Sequence, residues 1–125
     1  MDELNYGGSN FCNKLKEIYG LEGLELQKKR YKTSLERFRE LYPESREVCV
    51  SRAGGRLLIS GEHLDYHHGW ILNSALSEDT VVISSLGNRG FCFANMDSHF
   101  DSFKINSTDE VKIVVLINSE QIVST

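Results

Sequence analysis

The stretch that decides the fold reads Val48-Cys49-Val50-Ser51-Arg52-Ala53-Gly54-Gly55-Arg56-Leu57-Leu58-Ile59-Ser60-Gly61-Glu62-His63-Leu64-Asp65-Tyr66-His67-His68-Gly69. Two short β-prone runs, Val48–Val50 and Leu57–Ile59, are punctuated by a glycine pair. The second run leads straight into a polar knot, Gly61 to Gly69, that gathers Glu62, Asp65 and three histidines. Glycines at both ends let the backbone turn sharply and approach a ligand closely. A strand that ends in titratable groups holds them on the rigid sheet behind it.

Upstream of this stretch the apolar period is helical. Leu24, Tyr31, Leu35, Phe38 and Tyr42 recur at intervals of 7, 4, 3 and 4, which places them on one stripe. The opposite side collects Lys28, Lys29, Arg30, Lys32, Glu36, Arg37 and Glu40, read as a solvated face, and Pro43 ends the helix. A shorter helix carries Phe11, Leu15 and Ile18, with Ser9 or Asn10 as its cap and Gly20 as its stop. Residues 1 to 8 read as a loose leader. Residues 1–22 are therefore expected to form a leader and short helix, and 23–125 the main domain.

Downstream, Trp70–Leu76 is a further apolar stretch and Thr80–Leu86 reads as a strand. Gly87-Asn88-Arg89-Gly90 reads as a turn joining Thr80–Leu86 to Phe91-Cys92-Phe93 in an antiparallel hairpin. Ser102–Ile105 is a further extended piece, and Val111–Ile117 is the last strand; if strands after Thr125 are missing, it is expected to be an unpaired apolar edge that invites self-association. Helices followed by short strands make this α+β, with a small mixed or antiparallel sheet, rather than a regular β-α-β alternation. Trp70 and Ile71 are expected to pack as core behind the polar knot. Phe91 and Phe93 share one face, expected to be the buried one, and His99 is expected at the surface.

Composition narrows the class. The chain has 125 residues, 40% apolar and 26% charged, with 14 Lys and Arg against 18 Asp and Glu for a net charge of −4. That is one domain's length, and mild acidity argues against nucleic-acid or membrane-surface partners. The longest apolar run, Ile113–Ile117, is far shorter than the ~20 residues a bilayer demands. Three cysteines, Cys12, Cys49 and Cys92, show neither zinc-knuckle nor redox spacing. They read as reduced thiols in a cytoplasmic protein, with Cys12 and Cys49 facing the core.

Chemistry concentrates in the knot. Carboxylates such as Glu62 and Asp65 accept two hydroxyl protons each, and the neutral imidazole of His63 both donates and accepts. That set suits a neutral polyol such as a sugar. Arg56 brings a permanent positive charge that orients a carboxylate or stabilises negative charge developing in a transfer reaction. Two other readings stand beside this one. His63 and His67 form an i,i+4 pair that would bind a metal if the segment were helical, though the flanking glycines argue against a helix. Alternatively, the knot is a polar turn whose charges are simply solvated.

Gly55-Arg56, Gly61-Glu62-His63, Asp65-Tyr66 and Gly69 together resemble the galactokinase signature G-R-V-N-L-I-G-E-H-T-D-Y-N-x-G of the GHMP sugar kinases. Eight positions keep their order and spacing, and the resemblance extends from about residue 35 to 105, sharpest over 53–72. It implies the N-terminal part of the GHMP kinase fold, with Arg56 as a catalytic residue beside the reacting sugar hydroxyl. It also implies that Glu62, His63 and Asp65 bind the sugar, galactose or a related hexose, whose anomeric hydroxyl attacks the γ-phosphate of magnesium-bound ATP.

There are departures from the signature. Gly54 replaces a proline, Leu58 an asparagine, Ser60 an aliphatic residue, Leu64 a threonine, His67 an asparagine and Asn73 a proline. The Gly- and Ser-rich loop that holds ATP phosphates in this family is absent from the sequence, and so is the later aspartate base. The expectation is a sugar-recognising segment that does not turn over ATP alone. It would depend on a complementing C-terminal kinase segment or persist as a non-catalytic sugar-binding module.

Overall fold

The computed structural model describes residues 8–87, 90–106 and 113–119. The elements are α1 (Gly8–Leu41), β1 (Cys49–Ser60), a single 3-10 turn (Asp65–His67), β2 (Leu72–Leu86), β3 (Phe91–Asn95), β4 (Phe103–Ile105) and β5 (Ile113–Ser119). The strands form one mixed sheet in the order β1-β2-β5-β3-β4, and α1 lies on one face of it. The architecture is α+β, as the sequence pattern implies.

Helix α1 is two arms joined at Gly20, whose φ of 70° and ψ of −178° is non-helical. Only glycine occupies that region at low cost. The break falls where the stop is expected, yet the second arm resumes at once rather than at Leu24. The first arm already contains Ser9 and Asn10, the expected cap positions. Of the expected leader, residues 1–7 lie outside the described residues and Gly8 opens the helix.

The apolar stripe meets the sheet in two clusters. Phe38, fully buried, packs with Ile83, Ala94, Val114 and Leu116, flanked by Leu35, Tyr42 and Cys92. Leu15 and Tyr31 pack with Val81, flanked by Phe11, Tyr19 and Leu24. Each such large apolar side chain contributes ~1.5–3 kcal/mol on burial.

Beside the second cluster, on the side away from the first, lies a polar seam. The Asp79 side chain is 0% exposed and accepts from Tyr19 Oη (2.5 Å), Arg30 Nη1 (2.6 Å) and Arg52 Nε. Arg30 Nη2 also donates to the carbonyls of Asp79 (3.1 Å) and Asn118 (2.9 Å). Both arms of α1 are thereby tied to β1, β2 and β5. Burial by itself would push the Asp79 carboxyl up, but the hydrogen bonds from Tyr19, Arg30 and Arg52 outweigh it and hold the group below the usual carboxylate range. Burial, with the Asp79 hydrogen bond next, pushes the Tyr19 hydroxyl well above its ordinary value. Arg30 is therefore no part of a solvated face; its side chain is only 10% exposed.

Several strand readings are corrected. The runs on either side of Gly54-Gly55 are one strand, β1, with register shifts at Gly54/Arg56 and Leu58/Ser60. Likewise Trp70–Leu76 and Thr80–Leu86 merge into β2, although Trp70 and Ile71 precede it. No hairpin joins β2 to β3: β5 inserts between them, antiparallel to β2 and parallel to β3. Asn88 and Arg89 of the expected turn lie outside the described residues. The last strand is thus central, not an edge, and its expected first residues, Val111 and Lys112, also lie outside the described residues.

Side-chain placement departs from expectation as well. Cys92, Ala94 and Met96 face α1, so Phe91 and Phe93 point to the opposite face. There Phe93 stacks on Phe103 at 4.7 Å. Cys12 and Cys49 are exposed rather than core-facing. Trp70 is 94% exposed and packs no core, because it lies outside the stretch of sheet that α1 covers. His99 is exposed, as expected.

Candidate sugar-binding site

Strand β5 pairs with β2 only between Thr80 and Leu86. Beyond that point β1 and β2 continue as a two-stranded arm, and the Gly61–Gly69 knot forms its tip. Arg56, Leu57 and Leu58 pair regularly with Ala75, Ser74 and Asn73, so Arg56 and Leu58 project to the same face of the arm.

At the tip, Gly61 adopts φ 91° and His63 φ 61°, both left-handed. A Cβ at Gly61 would lie 2.4 Å from the Trp70 carbonyl oxygen and 2.9 Å from Ile71 Cα, so only glycine fits. The amide of Leu64 donates to the Gly61 carbonyl (3.1 Å), and the amide of Gly69 donates to the Leu64 carbonyl (2.8 Å). These bonds fold the knot into two tight turns around Asp65–His67. No α-helix forms here, so His63 and His67 do not form the stacked pair of a helical metal site. Among the described residues, no group of three or more His, Cys, Asp or Glu is placed to hold a metal ion.

The result is a concave site. Arg56, Leu58, Gly61, Glu62, His63, Asp65, Tyr66 and Ile71 line one hollow of about 260 Å³. Pockets for drug-sized ligands span ~300–1,000 Å³, so this one suits something smaller. His63 Nε2 lies 3.8 Å from Glu62 Oε1, and its ring sits 5.8 Å from that of Tyr66. Both partners of the Glu62–His63 pair are mostly exposed, which leaves their polar atoms open to a ligand.

All four residues singled out in the sequence, Arg56, Glu62, His63 and Asp65, border this single hollow. Sequence reasoning missed Leu58, Tyr66 and Ile71 as lining residues. Alternation along β1 carries the signal for Leu58, which stands two positions from Arg56. Ile71 had none, because its place depends on the backbone of Gly61 in contact with it.

The family model of the galactokinase galactose-binding signature matches residues 36–86. That span holds the whole arm and the hollow at its tip. The chain carries a divergent galactokinase N-terminal segment. It is similar to a galactokinase of Dictyostelium discoideum, 30% identical over 109 residues, covering 87% of this chain and 21% of that protein. It is also similar to a galactokinase of Candida parapsilosis, 32% identical over 72 residues, 57% of this chain and 14% of that protein. The chain thus spans about a fifth or less of the length of these curated galactokinases.

Proposed function

We propose that this chain recognises galactose for ATP-dependent phosphorylation to galactose 1-phosphate, as the N-terminal segment of a galactokinase. The observation that carries the reading is the shared hollow, in which two carboxylates, an imidazole and a guanidinium converge on a space of monosaccharide size. Glu62 and Asp65 accept sugar hydroxyl protons, and His63 donates or accepts as its neighbour requires. Arg56, on β1 and bordering the hollow, is the candidate catalytic residue. There it stabilises negative charge as the sugar oxygen is phosphorylated.

ATP and magnesium belong to this chemistry through the family, yet the residues described here do not fit them. Gly54 is paired with Asp79 across the sheet and forms no phosphate cradle. Among the described residues no cluster suits a metal ion. The chain alone is therefore expected not to consume ATP.

Calorimetric titration with galactose, glucose and galacturonate, without nucleotide, tests the reading. Selective binding of galactose supports it, and no response to any sugar defeats it. A kinase assay on the chain alone is expected to yield no galactose 1-phosphate.

A second reading is a non-catalytic sugar-binding module. It is favoured by the way one contiguous stretch, residues 56–71, supplies every lining residue of the hollow. Adding a C-terminal galactokinase segment separates the two: galactose-dependent ATP consumption supports the first reading, and sugar binding without it the second.

A further inference from the structure

Asp79 is a buried carboxylate that takes no part in lining the hollow. It stands where the sheet gives way to the arm. β5 pairs with β2 from Thr80 onward, so Asp79 is the first residue of β2 with β1 as its strand partner and no β5 beside it. Tyr19 and Arg30 of α1 and Arg52 of β1 all donate to its carboxylate. Arg30 Nη2 donates to its carbonyl and to that of Asn118 on β5, which ties the same point to the sheet interior. The next stretch of the arm is irregular. Asp79 pairs with Gly54 and Ala75 with Arg56, so Leu76, Ser77 and Glu78 stand opposite Gly55 alone. A bulge of this kind bends its strand and sharpens the local twist. It closes on Gly55, where an added Cβ would meet the Glu78 carbonyl oxygen at 3.0 Å and Leu76 Cβ at 3.2 Å.

We propose that Asp79 is a positioning residue: held by Tyr19, Arg30 and Arg52, it fixes the direction in which the arm leaves the sheet, and so where Arg56 and a bound hexose are presented, without shaping the hollow itself. This role rests on the hollow being a sugar site. Every lining residue falls between 56 and 71, beyond the bulge, so the hollow travels with the arm as one piece. What the body of the protein sets is the angle of that arm. A two-stranded ribbon is marginal by itself, and the bulge gives it a place to bend. The seam pins both strands just before that place, β2 through Asp79 and β1 through Arg52. Group transfer tolerates misplacement of only about 1 Å, so an arm that swings keeps its sugar and loses its aim.

Trp70, the single tryptophan of the chain, lies exposed at the arm's tip and supplies the readout. Time-resolved fluorescence anisotropy of the full chain, well below its melting temperature, follows the swing of the arm on the nanosecond scale. Asp79→Asn turns one acceptor into a donor that faces the groups donating to it. It is expected to raise the share of anisotropy lost to segmental motion by about twofold. Arg52→Gln, at a side chain 31% exposed, is the milder change and is expected to act in the same direction. If Asp79→Asn does not fold, Arg52→Gln decides by itself. Val114→Ala removes buried volume from the other cluster, and is expected to lower the melting temperature while leaving Trp70 as in wild type. Calorimetric titration is expected to give galactose affinities within about twofold of wild type for all three variants. Unchanged anisotropy in Asp79→Asn and Arg52→Gln, or an equal rise in Val114→Ala, refutes the positioning role and leaves the galactose reading standing. A loss of affinity of about tenfold in Asp79→Asn also refutes it, because the seam would then shape the hollow. If wild type binds no sugar, the galactose reading falls, and the anisotropies still decide whether Asp79 holds the arm.

Discussion

Asp65 opens the 3-10 turn at the arm's tip, exposed and facing the hollow with Glu62. An exposed carboxylate stabilises the fold little, so Asp65→Ala should change the sugar-free protein by less than ~0.5 kcal/mol. Galactose affinity should fall by about tenfold or more, since sugar hydroxyls would lose a charged acceptor. Calorimetry and thermal melting of the same variant separate the two quantities. Gly61 behaves in the opposite sense. Gly61→Ala forces a Cβ against the Trp70 carbonyl at a positive φ, which should cost ~1–3 kcal/mol and appear directly in denaturant titration. At this scale the site was legible: charged side chains of matching spacing, bracketed by glycines, announce a turn with a use. Ile71 and Tyr66 were not, because their roles depend on how that turn closes.

Among the elements, α1 depends on the Asp79 seam as much as on its apolar stripe. The folded Asp79 carboxyl titrates below its unfolded value of ~3.9. The unfolded chain therefore takes up the proton first on acidification. The seam's contribution is complete above about pH 4–5 and is lost as the pH falls through the lower folded value. Asp79→Asn should lower stability at neutral pH and flatten this acid-side decline. Denaturant midpoints at pH 7, 5, 4 and 3 check both. The sequence did contain a hint: Asp79 lies two and four positions before Val81 and Ile83, on the same inward face. A charge on a core face needs a partner, and Arg30 and Arg52 supply it. The misread β2–β3 hairpin has a comparable cause. Turn chemistry at Gly87–Gly90 favoured a local pairing, whereas the apolar run Ile113–Ile117 is apolar on both faces, as a central strand requires.

For the molecule as a whole, one sheet face is covered by α1, while the other presents Phe91, Phe93, Phe103 and Ile105. Phe103 is 57% exposed and Ile105 51%. A large apolar patch of this kind binds hydrophobic dyes and promotes association. Phe103→Lys combined with Ile105→Lys should reduce dye fluorescence and concentration-dependent sedimentation while leaving the melting temperature nearly unchanged. A drop in stability as large as that of a buried core deletion, ~2–5 kcal/mol, would show that the face is packed. α+β class and helix placement were readable from periodicity. Which face stays bare was not, because β3 alternates small and large apolar residues whose sides only the neighbours decide.

The arm beyond Thr80 has one line of interstrand bonds, while its root shares β2 with β5 and is covered by α1. A lone pair of strands opens far more often than a sheet interior. Deuterium uptake should therefore be fast at Leu57 and Leu58 and slow at Val81 and Ile83. A sugar seated at the tip would act as a clasp, slowing exchange along the arm alone, so that part of its binding energy goes into zipping the two strands that carry it.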